Sequence, residues 1–134
     1  MIEQPNVLVI EENSDLSDTF SLILKKRGYN VETVKEATTA VNKPDRFRFD
    51  VILMDVKQQG MDEVETVGRI KKLAPGARVI LMASHYNDIE LRDYLMEQAF
   101  QTVYKPVDIG QLITLIKEAV EKQPLSGNGN NSNK

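Results

Sequence analysis

The chain has 134 residues, 41% hydrophobic and 28% charged, which suits a single ordinary globular domain. Its formal net charge of −3, with no basic block, excludes an electrostatic case for nucleic-acid binding. With no cysteine and one histidine, His85, it can hold no disulfide, thiol nucleophile, thiolate metal site or multi-histidine metal site of its own. The apolar runs are far too short to cross a bilayer, and the first residues lack a signal-peptide pattern, so a cytoplasmic protein without membrane attachment is expected.

In chain order, the first element is the run Val7–Ile10, which ends in two carboxylates, Glu11 and Glu12. Leu16, Phe20, Ile23 and Leu24 then follow a helical period that stops at Gly28. A second β-branched run, Val31–Val34, leads into a weaker helix over Glu36–Phe47, interrupted by Asn42, Lys43 and Pro44. The third run, Val51–Met54, reaches Asp55, and Val64, Val67, Ile70 and Leu73 give a helix that ends at Pro75-Gly76. Val79–Met82 is followed by Ala83-Ser84, and Ile89, Leu91, Leu95 and Met96 suggest the next helix. The last strand, Thr102–Tyr104, runs into Lys105-Pro106, and Leu112, Ile113, Ile116 and Val120 mark the last helix. Asp62 with Glu65, Asn87 with Glu90, and Asp108 with Gln111 read as capping pairs at helix starts. From Gln123 the composition turns polar and Gly/Asn-rich, which predicts a domain over 1–122 and a flexible tail or truncated linker over 123–134.

Five strands alternating with five helices imply a parallel sheet covered on both faces, a doubly wound α/β domain. In such sheets chemistry gathers beyond the C-terminal strand ends. There Glu11, Glu12, Asp55 and Lys105 would converge, and the acidic repulsion would suit a hard divalent cation such as Mg²⁺.

The acidic pair in "VLVIEEN", the aspartate of "DVILMD", the "GMD" at Gly60–Asp62 and the "YKP" at Tyr104–Pro106 together resemble the receiver domains of two-component response regulators, the CheY-like superfamily, over residues 6–122. The resemblance implies a (βα)5 flavodoxin-like fold with strand order 2-1-3-4-5. It implies that Asp55 accepts a phosphoryl group from a histidine kinase or phosphotransfer protein. Glu12 would bind Mg²⁺ directly, Glu11 through water, and Asp55 and the Lys57 backbone carbonyl would complete the protein ligands. Lys105 would pair with the acceptor and then with the phosphoryl oxygens, aimed by a cis peptide at Pro106. Lys57 and His85 would flank the acceptor. Output would pass through the last two helices and strand five, a face that can also form a homodimer. The resemblance implies no enzyme beyond the domain's own aspartyl phosphorylation and dephosphorylation.

Four departures from the family pattern bear on mechanism. Glu12 stands where aspartate is usual and predicts weaker Mg²⁺ binding, because that ion demands tight octahedral geometry. Ala83 occupies the position of the switch hydroxyl, and Thr102 that of the switch aromatic; Ser84 and Tyr104 are their candidate substitutes. The loop Gln58–Glu63 lacks the usual proline and final glycine. These departures keep a second reading open: a pseudo-receiver that binds a partner without phosphate.

Overall fold

The structure, a computed structural model, describes residues 4–37, 39, 48–56, 61–83 and 89–121, with the backbone course alone at 61–64, 73, 89–92 and 95. The strands are β1 (Asn6–Ile10), β2 (Asn30–Val34), β3 (Val51–Val56), β4 (Arg78–Ala83) and β5 (Gln101–Tyr104). The helices are α1 (Ser14–Lys26), α2 (Met61–Leu73), α3 (Ile89–Gln98) and α4 (Ile109–Glu121). The weak helix expected over Glu36–Phe47 falls for the most part outside the described residues, as does the 123–134 tail.

All described strand pairs are parallel, in the order β2-β1-β3-β4-β5. The sequence pattern explains why. β1, β3 and β4 are nearly continuous apolar runs, and a strand with apolar residues on both sides must be covered on both sides. On one face Val7, Val9, Val51, Leu53, Ile80, Met82 and Val103 pack with Phe20 and Leu24 of α1 and Leu112, Ile116 and Ala119 of α4. On the other, Leu8, Ile10, Ile52, Met54, Val56, Leu81 and Ala83 pack with Val67 and Ile70 of α2. Met54 and Met82 are thus packing residues.

Helix α1 begins with Asn13, whose side chain accepts from the Leu16 N–H at 3.0 Å. It ends with Gly28 at φ +96°, where the Gly28 N–H reaches Lys25 O at 3.1 Å and the Tyr29 N–H reaches Leu24 O at 3.2 Å. This pair of bonds closes the carbonyls of the last turn, and it needs the left-handed backbone that glycine adopts without strain. Nothing lies within 4 Å of a Cβ built at Gly28, so Gly28→Ala should cost about 1 kcal/mol or more from backbone strain alone. Urea denaturation would read this as a lowered midpoint with an unchanged slope.

Three sequence expectations need correction. The apolar period of α1 includes Leu16, but Leu16 is 45% exposed, while Ser17 is buried beside Phe20 and Leu24 in the helix pattern. The apolar set that marks α3 includes Met96, which is 47% exposed. Asp62 does not precede α2, because that helix already begins at Met61. Asp108 does cap α4: its Oδ1 accepts from the Gln111 N–H at 3.0 Å. The Asn87 pair lies outside the described residues.

Candidate functional site

The site is built from strand ends. β1 finishes at Ile10, and the ladder holds one residue further, with the Glu11 N–H donating to Val34 O at 3.0 Å. Glu11 is 4% exposed, and Glu12 is exposed to solvent. The buried Glu11 carboxylate takes a hydrogen bond from the Asn13 N–H to Oε2 at 3.1 Å.

Asp55 lies within β3, one residue before its end, and pairs in register with Met82. Its side chain is 2% exposed and forms an ion pair through Oδ1 with the Lys105 ammonium, whose own side chain is 36% exposed. A buried carboxylate needs such a partner, because desolvation of an isolated charge is costly. The backbone brings Lys105 there: its N–H donates to Ala83 O at 2.8 Å, which extends the β4–β5 ladder past Tyr104. The Lys105–Pro106 peptide is cis, as the resemblance implies.

The sequence-predicted residues therefore separate into groups. Asp55 and Lys105 meet. Glu11 is buried at the end of the strand adjoining β3, since β1 and β3 pair directly up to Ile10 and Met54. Glu12 points to solvent, and among the described residues no three Asp, Glu, His or Cys side chains form a group that could hold a metal. The expected convergence of three carboxylates into one metal-holding group is thus not found among the described residues. Lys57, Ser84 and His85 lie outside the described residues.

The two positions that the resemblance assigns to a switch, Ala83 and Thr102, stand on the sheet face that packs against α2. Ala83 is fully buried, paired with Val56 on one side and Tyr104 on the other. Thr102 pairs with Leu81, and its buried Oγ1 has no hydrogen-bond partner among the described residues. Tyr104 alternates onto the same face as Thr102, but its hydroxyl donates to the Met96 sulfur on α3 at 3.8 Å. That contact directs the Tyr104 ring toward α3.

Sequence reasoning missed Asn13. The signal was present: an asparagine just before an apolar helical run is a strong N-cap mark.

Comparison with known proteins agrees with the fold. The family model described as "Response regulator receiver domain" matches residues 7–117. The chain is 27% identical over 124 residues to sporulation initiation phosphotransferase F of Bacillus subtilis, covering 91% of this chain and 96% of that protein. It is 27% identical over 124 residues to the transcriptional regulatory protein ZraR of Klebsiella oxytoca, covering 92% of this chain. The chain spans only 28% of the length of that regulator, and 26% of the Escherichia coli regulator GlrR. Among solved structures, a CheY-like response regulator receiver domain protein from Methanospirillum hungatei superposes with TM-score 0.80 at 26% identity, over 90% of this chain and 97% of that one. A response regulator from Thermotoga maritima shares the fold at TM-score 0.76 and 23% identity, over 89% and 99% of the two chains. A family match across most of the folded region, joined to the expected strand order and the ion-paired aspartate of β3, leads to one conclusion: the chain belongs to the response regulator receiver domain family.

Proposed function

We propose that this chain is a phosphoacceptor receiver, taking a phosphoryl group on Asp55 from a histidine kinase or phosphotransfer protein. One observation carries the reading: the Asp55 side chain is buried near the end of β3 with the Lys105 ammonium as its ion partner. In this mechanism an Asp55 oxygen attacks the donor's phosphorus in line, the bond to the donor's leaving group breaks, and the electron pair departs with that group. Lys105 stays within reach of the charge that develops on the transferring oxygens, and it needs little rearrangement to do so.

The oxygen-only donor set fits a hard cation. Mg²⁺ commonly uses one or two carboxylates and keeps several waters, so the absence of a three-carboxylate cluster among the described residues is compatible with it. Asp55, Glu11, Glu12 and the Lys57 carbonyl are the residues that would hold it, weakly, because Glu12 is exposed and one methylene longer than aspartate. When bound, Mg²⁺ would neutralise charge on the phosphoryl oxygens.

Partner binding would change through α3, β5 and α4, a face that could also pair two copies. Among the described residues no helix is long and apolar enough to cross a membrane. A cytoplasmic location and indirect action, with no contact to nucleic acid by this domain, complete the reading.

A second reading is favoured by Ala83. Its methyl is fully buried at the position where the family places a switch hydroxyl, so the domain could bind a partner without phosphate. One assay separates the two. After incubation with Mg²⁺ and acetyl phosphate, intact mass should rise by one phosphate, and Asp55→Asn should abolish the rise. Labelling that survives Asp55→Asn would overturn the assignment of the acceptor. No labelling of the wild type would favour the phosphate-independent module.

A further inference from the structure

Glu11 poses a physical problem, since it is a carboxylate at 4% exposure with another carboxylate next to it in the chain. Burying such a group without compensation is costly. The bond that compensates it comes from Asn13, whose backbone N–H donates to Glu11 Oε2 at 3.1 Å. Asn13 can offer that N–H because it stands at the helix boundary, at φ −77° and ψ 116°, outside the helical ladder. The same residue is held from the other side by α1. Its Oδ1 accepts from the Leu16 N–H at 3.0 Å, and its carbonyl accepts from the Ser17 N–H at 2.9 Å. One residue thus makes two bonds into the first turn of α1 and a third to the buried carboxylate.

We infer that Asn13 is a positioning residue for Glu11, tying the orientation of that carboxylate, and with it the cation affinity of the site, to the N-cap of α1. A carboxylate that accepts one N–H keeps its other lone pairs for a cation or for the waters around it. The bond therefore orients Glu11 without consuming it. The cation part rests on the proposed receiver chemistry; the positioning part does not.

Three substitutions divide the contacts. Asn13→Ser keeps a capping oxygen and the N–H. Asn13→Ala loses the capping oxygen and keeps the N–H and the carbonyl. Asn13→Pro loses both the capping oxygen and the N–H and keeps the carbonyl, and the observed φ of −77° is one that proline adopts. Two readouts are taken on each folded variant: the Mg²⁺ dissociation constant by calorimetric titration, and the carbon NMR signal of the Glu11 carboxyl group in metal-free protein. Asn13→Ser should bind Mg²⁺ like the wild type, and Asn13→Ala a few-fold more weakly. Asn13→Pro should bind about tenfold or more weakly, as outer-shell losses at metal sites do. The Glu11 signal should move in Asn13→Pro and stay put in Asn13→Ser.

A purely structural cap would lower the melting temperature of Asn13→Ala and Asn13→Pro while leaving both readouts unchanged, and that result would overturn the inference. If Asn13→Pro does not fold, equal Mg²⁺ affinity and equal Glu11 signals in Asn13→Ala and Asn13→Ser would overturn it instead. If the wild type binds no Mg²⁺ but the Glu11 signal still moves in Asn13→Pro, the cation reading fails and the positioning role stands.

Discussion

Lys105→Met should slow phosphorylation of Asp55 by about 10²–10³-fold, the usual loss when one preorganised charge-stabilising donor is removed from a reacting centre. The ammonium is the described ion partner of the Asp55 side chain, and in the proposed mechanism it stabilises the charge that develops on the transferring group. Methionine keeps most of the aliphatic stem and removes the charge. The fold should survive, because the Lys105 side chain is 36% exposed and water can reach the vacated position. Lys105→Arg tests geometry separately, since a planar fork does not replace a compact point charge. The rate of mass gain with acetyl phosphate measures both variants. A Lys105→Met rate within a few-fold of the wild type would show that the ion pair holds the unmodified site together and contributes little to transfer.

The second large effect is on stability. Ile80→Ala should destabilise the domain by about 2–5 kcal/mol, a large share of the roughly 5–15 kcal/mol that holds a typical domain together. Ile80 is fully buried in β4, in the cluster that joins the sheet to α1 and α4. Its register partners are Leu53 on β3 and Gln101 on β5, so the cavity would be walled by strands that cannot collapse independently. Urea denaturation of the wild type and the variant gives the number directly. A loss under 1 kcal/mol would mean that the neighbours close the gap.

The strands were legible because central strands of a parallel sheet carry apolar residues on both faces. β1, β3 and β4 read as unbroken runs, and the structure lengthens each by one or two residues: Asn6 on β1, Asp55 and Val56 on β3, Arg78 and Ala83 on β4. Helix faces were less legible. In α1 the stripes 16-20-23 and 17-20-24 share Phe20, and hydropathy alone selects Leu16 over Ser17. Packing selects Ser17, because the inward line runs through Phe20 and Leu24. The Asp55–Lys105 pair was legible because both residues end apolar runs in a fold that aligns those ends. The Tyr104–Met96 contact and the Thr102 hydroxyl, without a hydrogen-bond partner among the described residues, were not, because each depends on how a side chain turns after the strand has been placed.

The strand ladders have a consequence for how such a domain can diversify. Asp55 is held inside β3 by its pairing with β4, and Lys105 is held to β4 through Ala83 O. Neither owes its place to the length or composition of a connecting loop. Changes of sequence in the segments after β3 and β4 would therefore leave Asp55 and its ion partner in register. In a domain built this way, the sequence of a connecting loop and the Asp55–Lys105 pairing can vary independently of each other.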